Sequence, residues 1–266
     1  MKIALLLTGL TRTCKQTYES VLQKFPPDKV DVFLETWDVV GHVPGGRGGR
    51  KPGRYTKEPS SKEKLYRLYN PVYCHIESII EWEKQYKKLP PEQQKFSAAV
   101  QFYKIHQGMQ NISSDYDIVI KNRFDISLDG DKDVGPLSKY QFTGETLLET
   151  IIKNKDKFCY LGKGFTNIKN ACVASSYENM LIYADYYYHY YLPEHQIPFM
   201  KSIAKYIKSK NIELCPIIYP HTLVRRYPQV SKVYFGKTGK YKLTKMLQQT
   251  LKNKPTKQRL INQNKK

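Results

Sequence analysis

The sequence predicts an open α/β fold, a mixed sheet with helices on both faces. Three observations lead there. Helix-compatible segments alternate with at least four short apolar runs of strand length, the pattern that builds βαβ units. The first run, residues 3–7, is continuously apolar and is followed by a glycine turn and a helical stretch, as parallel α/β domains begin. With 266 residues, 40% hydrophobic and 13% aromatic, the chain can bury one large core or two small ones.

The elements follow in order. Residues 3–7 read as a buried strand, TGLTRT as the turn after it, and residues 15–24 as a helix. Residues 30–34 (VDVFL) form a second strand that ends in ETWD. Residues 41–57, GHVPGGRGGRKPGRYTK, hold six Gly and five Lys/Arg and read as a mobile basic loop. A helix over 62–68 stops at Asn70-Pro71, and NPVYCHIE carries a short strand. Residues 79–86 and 96–109 are helical, the second with an apolar repeat at Phe96, Ala99, Val100 and Tyr103. A strand over 118–120 runs into NRFD.

Farther on, residues 144–153 read as a helix, 158–161 as a strand, and 172–174 as a strand leading to Ser175-Ser176. Ser176 is the N-cap expected for a helix over 177–191. Its YYYHYY run suggests a tyrosine packing face with His189 at the edge, or a platform for bases or sugars. Pro193-Glu194 opens a helix to 210, residues 212–219 make a last strand, and Leu243, Met246, Leu247 and Leu251 mark a basic amphipathic helix. Two units are expected: an α/β domain over 1–235, and a basic helix with a flexible tail over 236–266.

Charge points to the partner. Lys+Arg 44 against Asp+Glu 24 gives +20, which favours an anionic ligand or surface. Of these cations 13 lie beyond Glu213, where no acid follows, so a phosphate site in the body and a basic tail are separate matters. The five cysteines (Cys14, Cys74, Cys159, Cys172, Cys215) have no C-x-x-C spacing and read as reduced thiols of a cytoplasmic protein. MKIALLLTGLTRT is too short in its apolar run for a signal peptide, and no stretch approaches 18 apolar residues.

Three polar segments leave strand ends: TGLTR, ETWD and NRFD. A glycine turn before a helix N-terminus admits phosphate, and Arg12 adds a bidentate donor. It lacks the pattern of a P-loop or a dinucleotide fold, so a plain strand–turn–helix stays open. In NRFD, Arg123 can neutralise a departing diphosphate, while Asp125 holds a metal or bonds a sugar hydroxyl. A structural Arg–Asp pair is the simpler alternative. Asp129, Asp131 and Asp133 read as a solvated acidic turn.

Five stretches in order, IALLLTGLTRT, VDVFLETWD, LYNPVYCHIE, YDIVIKNRFDISL, and ACVASSYENM with PEHQIPFMKSIAKYIKSKNIEL…HTLVRR, resemble a glycosyltransferase-like family. Its members are encoded in bacterial surface-polysaccharide gene clusters and in large DNA viruses. The resemblance spans about residues 2–226 and implies a GT-A-like, Rossmann-like fold. It implies a nucleotide-sugar donor near Thr8, Gly9 and Arg12, with Asp38 near the base or ribose. Arg123 stands in the first metal-ligand place and Asp125 in the last, so a divalent cation, Mn or Mg, on Asp125 is left open. The family's run before the Ser-Ser often holds Asn-Asp, where Ile168-Lys169 stand here. Glu194 is then the remaining acidic candidate for catalysis beside Asp125 and Arg123, or simply a helix cap.

The expected activity is sugar transfer from a nucleotide sugar to a glycan or lipid-linked acceptor in polysaccharide biosynthesis. The enzyme would be cytoplasmic, with the basic tail suited to peripheral contact with an anionic membrane. A sulfotransferase and a non-enzymatic nucleic-acid-binding protein remain as alternatives. Nucleic acid is the weaker expectation, because the charge concentrates in a tail and no binding motif is present.

Overall fold

A computed structural model of the protein describes residues 1–45, 51–55, 58–86, 96–128, 146–162, 172–189, 199–217, 219 and 222–223. The elements in chain order are β1 (Ile3–Gly9), α1 (Cys14–Lys24), β2 (Asp31–Trp37), β3 (His42–Gly45), β4 (Lys51–Tyr55), α2 (Lys62–Tyr69), β5 (Tyr73–Glu77), α3 (Ile79–Tyr86) and α4 (Phe96–Gln110). There follow β6 (Ile118–Arg123), β7 (Ile126–Ser127), α5 (Leu147–Lys153), β8 (Phe158–Leu161), β9 (Val173–Ser176), α6 (Tyr177–His189), α7 (Phe199–Ser209), β10 (Leu214–Ile217) and β11 (Thr222–Leu223). The chain divides into two units, Met1–Arg225 and Arg226–Lys266, and the second lies outside the described residues.

The main sheet is mixed and Rossmann-like, in the order β10-β8-β9-β6-β1-β2-β5. β9 runs antiparallel to both of its neighbours, while the other adjacent strands pair in parallel. Numbered along the chain, the seven strands read 3-2-1-4-6-5-7 from the β5 edge. The order turns back between β1 and β6, which makes that junction the switch point.

Strand alternation divides the core into two layers. Leu5, Leu7, Val32, Leu34, Ile118 and Ile120 pack with Val21 of α1 and Phe25 at its C-terminal end, Leu65 of α2 and Ile151 of α5. Ala4, Leu6, Phe33 and Val119 face the other way, onto Phe102, Ile105 and Met109 of α4, with Tyr183 of α6 and Ile207 of α7 behind. Tyr183 and Tyr186 are fully buried against Phe102, so part of the tyrosine run is a packing face.

Helix ends follow local chemistry. Ser61 accepts from Lys64 N–H at the start of α2, and Asn70 closes that helix at φ 42°. Ser176 takes the expected cap position of α6, accepting from Asn179 N–H at 3.4 Å. Thr146 and Glu149 form a capping box, so α5 begins at Leu147 and not at residue 144. β1, β2 and β6 run two or three residues past their apolar cores, because the ladder bonds main chain whatever the side chain.

Within residues 41–57, two strands replace part of the expected loop, while residues 46–50 and 56–57 lie outside the described residues. β3 and β4 pair antiparallel, His42 opposite Tyr55 and Gly45 opposite Lys51, with a register shift between Val43 and Gly45. The helix expected from residue 193 is described only as α7; residues 190–198 lie outside the described residues, as do 129–145, 163–171 and 224–266. No described helix is long and apolar enough to cross a membrane.

α4 lies tightly on β1. A Cβ on Gly108 would come within 2.6 Å of Leu6 Cδ1 and 2.8 Å of Cδ2, and Leu6 is fully buried. Gly108→Val is expected to lose about 1–3 kcal/mol of stability by overpacking. Gln107→Val, at a half-buried position of the same helix, should lose clearly less. Urea denaturation of both variants measures the difference.

Candidate functional site

Open α/β sheets bind ligands beyond the carboxyl ends of the strands at the switch point. Here that crevice lies past β1 and β6, and the chain delivers TGLTRT to it from one and NRFD from the other. The parallel register sets Thr8 opposite Arg123. Gly9 adopts φ 106°, a region that L side chains rarely enter. A Cβ there would meet nothing within 4 Å, so the turn requires glycine for its backbone and not for space. The Gly9 carbonyl accepts from Thr36 Oγ1 at 2.6 Å, and Thr11 Oγ1 lies 3.0 Å from Ser60 Oγ.

α1 starts immediately after this turn. Its N-cap, Thr13, makes no side-chain cap bond, and the first turn holds no acid. Thr13 Oγ1 is buried without a partner among the described residues. A helix N-terminus carries roughly half a positive charge, and this one is uncompensated by a carboxylate.

Arg123 grips Asp125 as a fork: Nε donates to Oδ1 and Nη2 to Oδ2, both at 2.7 Å. Arg12 Nε lies 3.8 Å from the same Oδ2. The Asp125 side chain is 6% exposed, against 27% and 28% for Arg123 and Arg12, so the carboxylate sits beneath the two guanidiniums. α1 anchors the segment after β6. Thr17 Oγ1 donates to the Phe124 carbonyl at 2.6 Å, and Leu128 N–H donates to Ser20 Oγ at 3.1 Å. One helix therefore positions Arg12 at its start and the NRFD turn along its side.

Lys121 adds a fourth charge-bearing group. It is fully buried two residues before Arg123. Burial pushes its ammonium down to about 7, and the Arg123 charge lowers it further, against the opposite pull of Cys172 and Asp125. Two guanidiniums share one carboxylate, so the crevice keeps an excess of positive charge.

A divalent ion does not fit Asp125 as it stands. Both oxygens receive bonds from Arg123, and a guanidinium repels a divalent ion by roughly 4 kcal/mol per unit charge at 4 Å and an effective dielectric of 20. A second set, Glu35, His75 and Glu77, brings its ligand atoms within 4.8 Å of one another at the ends of β2 and β5. There the Lys104 ammonium already lies 2.7 Å from Glu35 Oε1 and 2.7 Å from Glu77 Oε2, and 4.2 Å from the centre of the Trp37 ring. His75 Nδ1 donates to Glu35 Oε1 at 2.8 Å, and Tyr103 donates to Glu77 Oε1 at 2.8 Å. The resident cation of this cluster is a lysine.

The crevice thus gathers Thr8, Gly9, Arg12, Arg123 and Asp125. Asp38 lies past the end of β2, where its Oδ1 accepts from Ile79 N–H at 3.1 Å, and its carbonyl accepts from Ser60 N–H at 2.8 Å. Glu194, Ile168-Lys169 and the acidic run at Asp129 lie outside the described residues. Sequence reasoning missed Lys121 and the Glu35–Lys104 pair. The signal was available: Glu35 alternates with Phe33 and Trp37 on one strand face, and Lys104 follows Val100 by one helical turn.

Lys121 gives a pH signature. Its folded value is lowered, so between pH 7 and its ordinary value near 10.5 the unfolded chain binds the extra proton, and stability rises with pH in that window. The limiting slope is about 1.4 kcal/mol per pH unit. Lys121→Met is expected to be more stable than wild type at pH 7, with the advantage shrinking toward pH 10. Parallel denaturant titrations at pH 7, 8, 9 and 10 measure this.

No protein-family model matches the chain, and no curated protein matches it in sequence.

Proposed function

We propose that the chain is a glycosyltransferase of GT-A-like fold, moving a sugar from a nucleotide-sugar donor to a glycan or lipid-linked acceptor. One observation carries the reading: Arg12 and Arg123 converge on the buried Asp125 at the switch-point crevice, beside the acid-free N-terminus of α1. A nucleotide sugar releases a nucleoside diphosphate, and fixed positive charge at the leaving oxygens stabilises that step. Arg12, Arg123 and the α1 N-terminus supply charge without a metal. Asp125 then acts as a positioning residue. It locks Nε and Nη2 of Arg123, so that Nη1 is the edge presented to the diphosphate. A fork held by a buried carboxylate loses little entropy when it binds, which favours pre-organised recognition of phosphate.

The sheet supports the same reading. Its antiparallel β9 is inserted between the fourth and fifth parallel strands, unlike the 3-2-1-4-5-6 order of dinucleotide folds. Thr8 and Gly9 line the donor side. Glu194 is proposed as the acceptor-side acid. The cationic stretch 236–266 suits contact with an anionic membrane surface that carries a lipid-linked acceptor.

Thermal-shift measurements with a panel of nucleoside-diphosphate sugars, in Mn²⁺ and in EDTA, test the reading. At least one donor should stabilise the protein, and it should do so in EDTA as well. Arg12→Ala should weaken that donor by about 1.5–3 kcal/mol, the worth of a charge-assisted bond, and Arg12→Lys should recover little. Arg123→Ala should abolish turnover. Stabilisation by nucleic acid alone, with no response to any donor, would overturn the proposal. Stabilisation by a donor only when Mn²⁺ is present would overturn the metal-free assignment of Arg123 and Asp125.

A further inference from the structure

β10 is an edge strand of the main sheet, and its partner is β8. Their parallel register places Cys215 directly opposite Cys159. Registered residues of adjacent strands share a face, and the strands lie about 4.8 Å apart. That spacing falls inside the Cα window for a disulfide, about 4.4–6.8 Å. Two residues earlier along both strands, Lys157 and Glu213 form an ion pair at 2.8 Å.

The two thiols have unequal surroundings. Cys159 is buried, and its Sγ lies 3.5 Å from the Asn154 carbonyl. Cys215 is half-buried on the edge strand and can be reached from solvent. From these placements we propose that Cys215 and Cys159 form a reversible oxidation site, in which Cys215 meets a small hydroperoxide and Cys159 resolves the product to a disulfide.

The electrostatics agree with that division. The neighbouring Cys159 thiol draws the Cys215 thiol down to about 7, and Lys157 assists, while burial and Glu213 oppose. The adjacent Cys215 and burial raise Cys159, which keeps its proton. Burial also raises Cys14, Cys74 and Cys172, the last to about 12, so Cys215 is the thiolate of the five near neutral pH. A soft-metal reading is not favoured, because among the described residues only Glu35, His75 and Glu77 converge within 4.8 Å.

The chemistry balances. The Cys215 thiolate attacks one peroxide oxygen and the O–O bond breaks. The other oxygen leaves and takes up a proton as water or alcohol, leaving Cys215 as the sulfenic acid. Cys159 then loses its proton and attacks the Cys215 sulfur. The S–O bond breaks, and the hydroxide leaves with that proton as water. Two thiols give up two electrons, and one peroxide receives them.

The test uses the full chain at pH 7, treated with hydrogen peroxide, blocked with N-ethylmaleimide and digested with trypsin. Peptides FCYLGK (158–163) and NIELCPIIYPHTLVR (211–225) should appear cross-linked, with the loss of two hydrogens, and separate on reduction. In Cys159→Ser the cross-link should vanish and dimedone should trap Cys215 as the sulfenic acid. The alkylation rate of Cys215 in wild type should rise with a midpoint near pH 7. A midpoint near the ordinary 8.5, a cross-link to Cys172 in place of Cys159, or an unmodified Cys215 after peroxide would each overturn the proposal.

Discussion

β1 is paired along both edges and covered on both faces, and this confinement organises the rest of the domain. Ile3 through Leu7 are wholly out of water, with α1 and α2 on one side and α4 on the other. Such a strand cannot carry unpaired polar groups in its middle, since each would be stranded without solvent. Polarity is therefore driven to its carboxyl end. Thr8, Gly9 and Thr11 follow the last apolar residue, and the neighbouring strands show the same change at Glu35 and at Lys121. Parallel pairing then puts these polar ends on one side of the sheet.

Where charge enters the buried zone, the structure handles it in two ways. Lys104 is surrounded by Glu35, Glu77 and the Trp37 ring, so each charge has a partner at bonding distance. Removing one member of such a set leaves an uncompensated buried charge, which is why these clusters hold a unique arrangement. Lys121 follows the other course. Burial lowers its ammonium toward neutrality, and the nearby Arg123 charge adds to the shift. The same two residues, Arg123 and Asp125, thus set the electrostatics of both the crevice surface and the group beneath it.

Asp125 illustrates how one side chain can hold several elements. It belongs to the turn after β6, bonds Arg123 from the same strand, and attracts Arg12 from the turn after β1. α1 ties these parts together through Thr17 and Ser20. These bonds tie the turns after β1 and β6 to one helix. Arg123 bonds both oxygens of Asp125, so the carboxylate beneath the arginines has no free oxygen for an ion.

The sequence by itself determined the local elements. Continuous apolar runs and helical spacing identify strands and helices because burial imposes those periods on the chain, and Ile79–Tyr86 and Phe158–Leu161 coincide with their expected limits. The Arg123–Asp125 pair was legible too, since a cation and a carboxylate two residues apart at a strand end are close enough to bond. The hairpin of β3 and β4 was not legible, because its order rests on main-chain bonds that glycine content conceals. Only the tertiary structure decided that Arg12 meets Asp125, 113 residues away, that Lys104 finds Glu35, and that Cys159 lies opposite Cys215. These contacts follow from strand order and register. Those are set by how whole faces pack, and a local pattern of residue types does not carry that information.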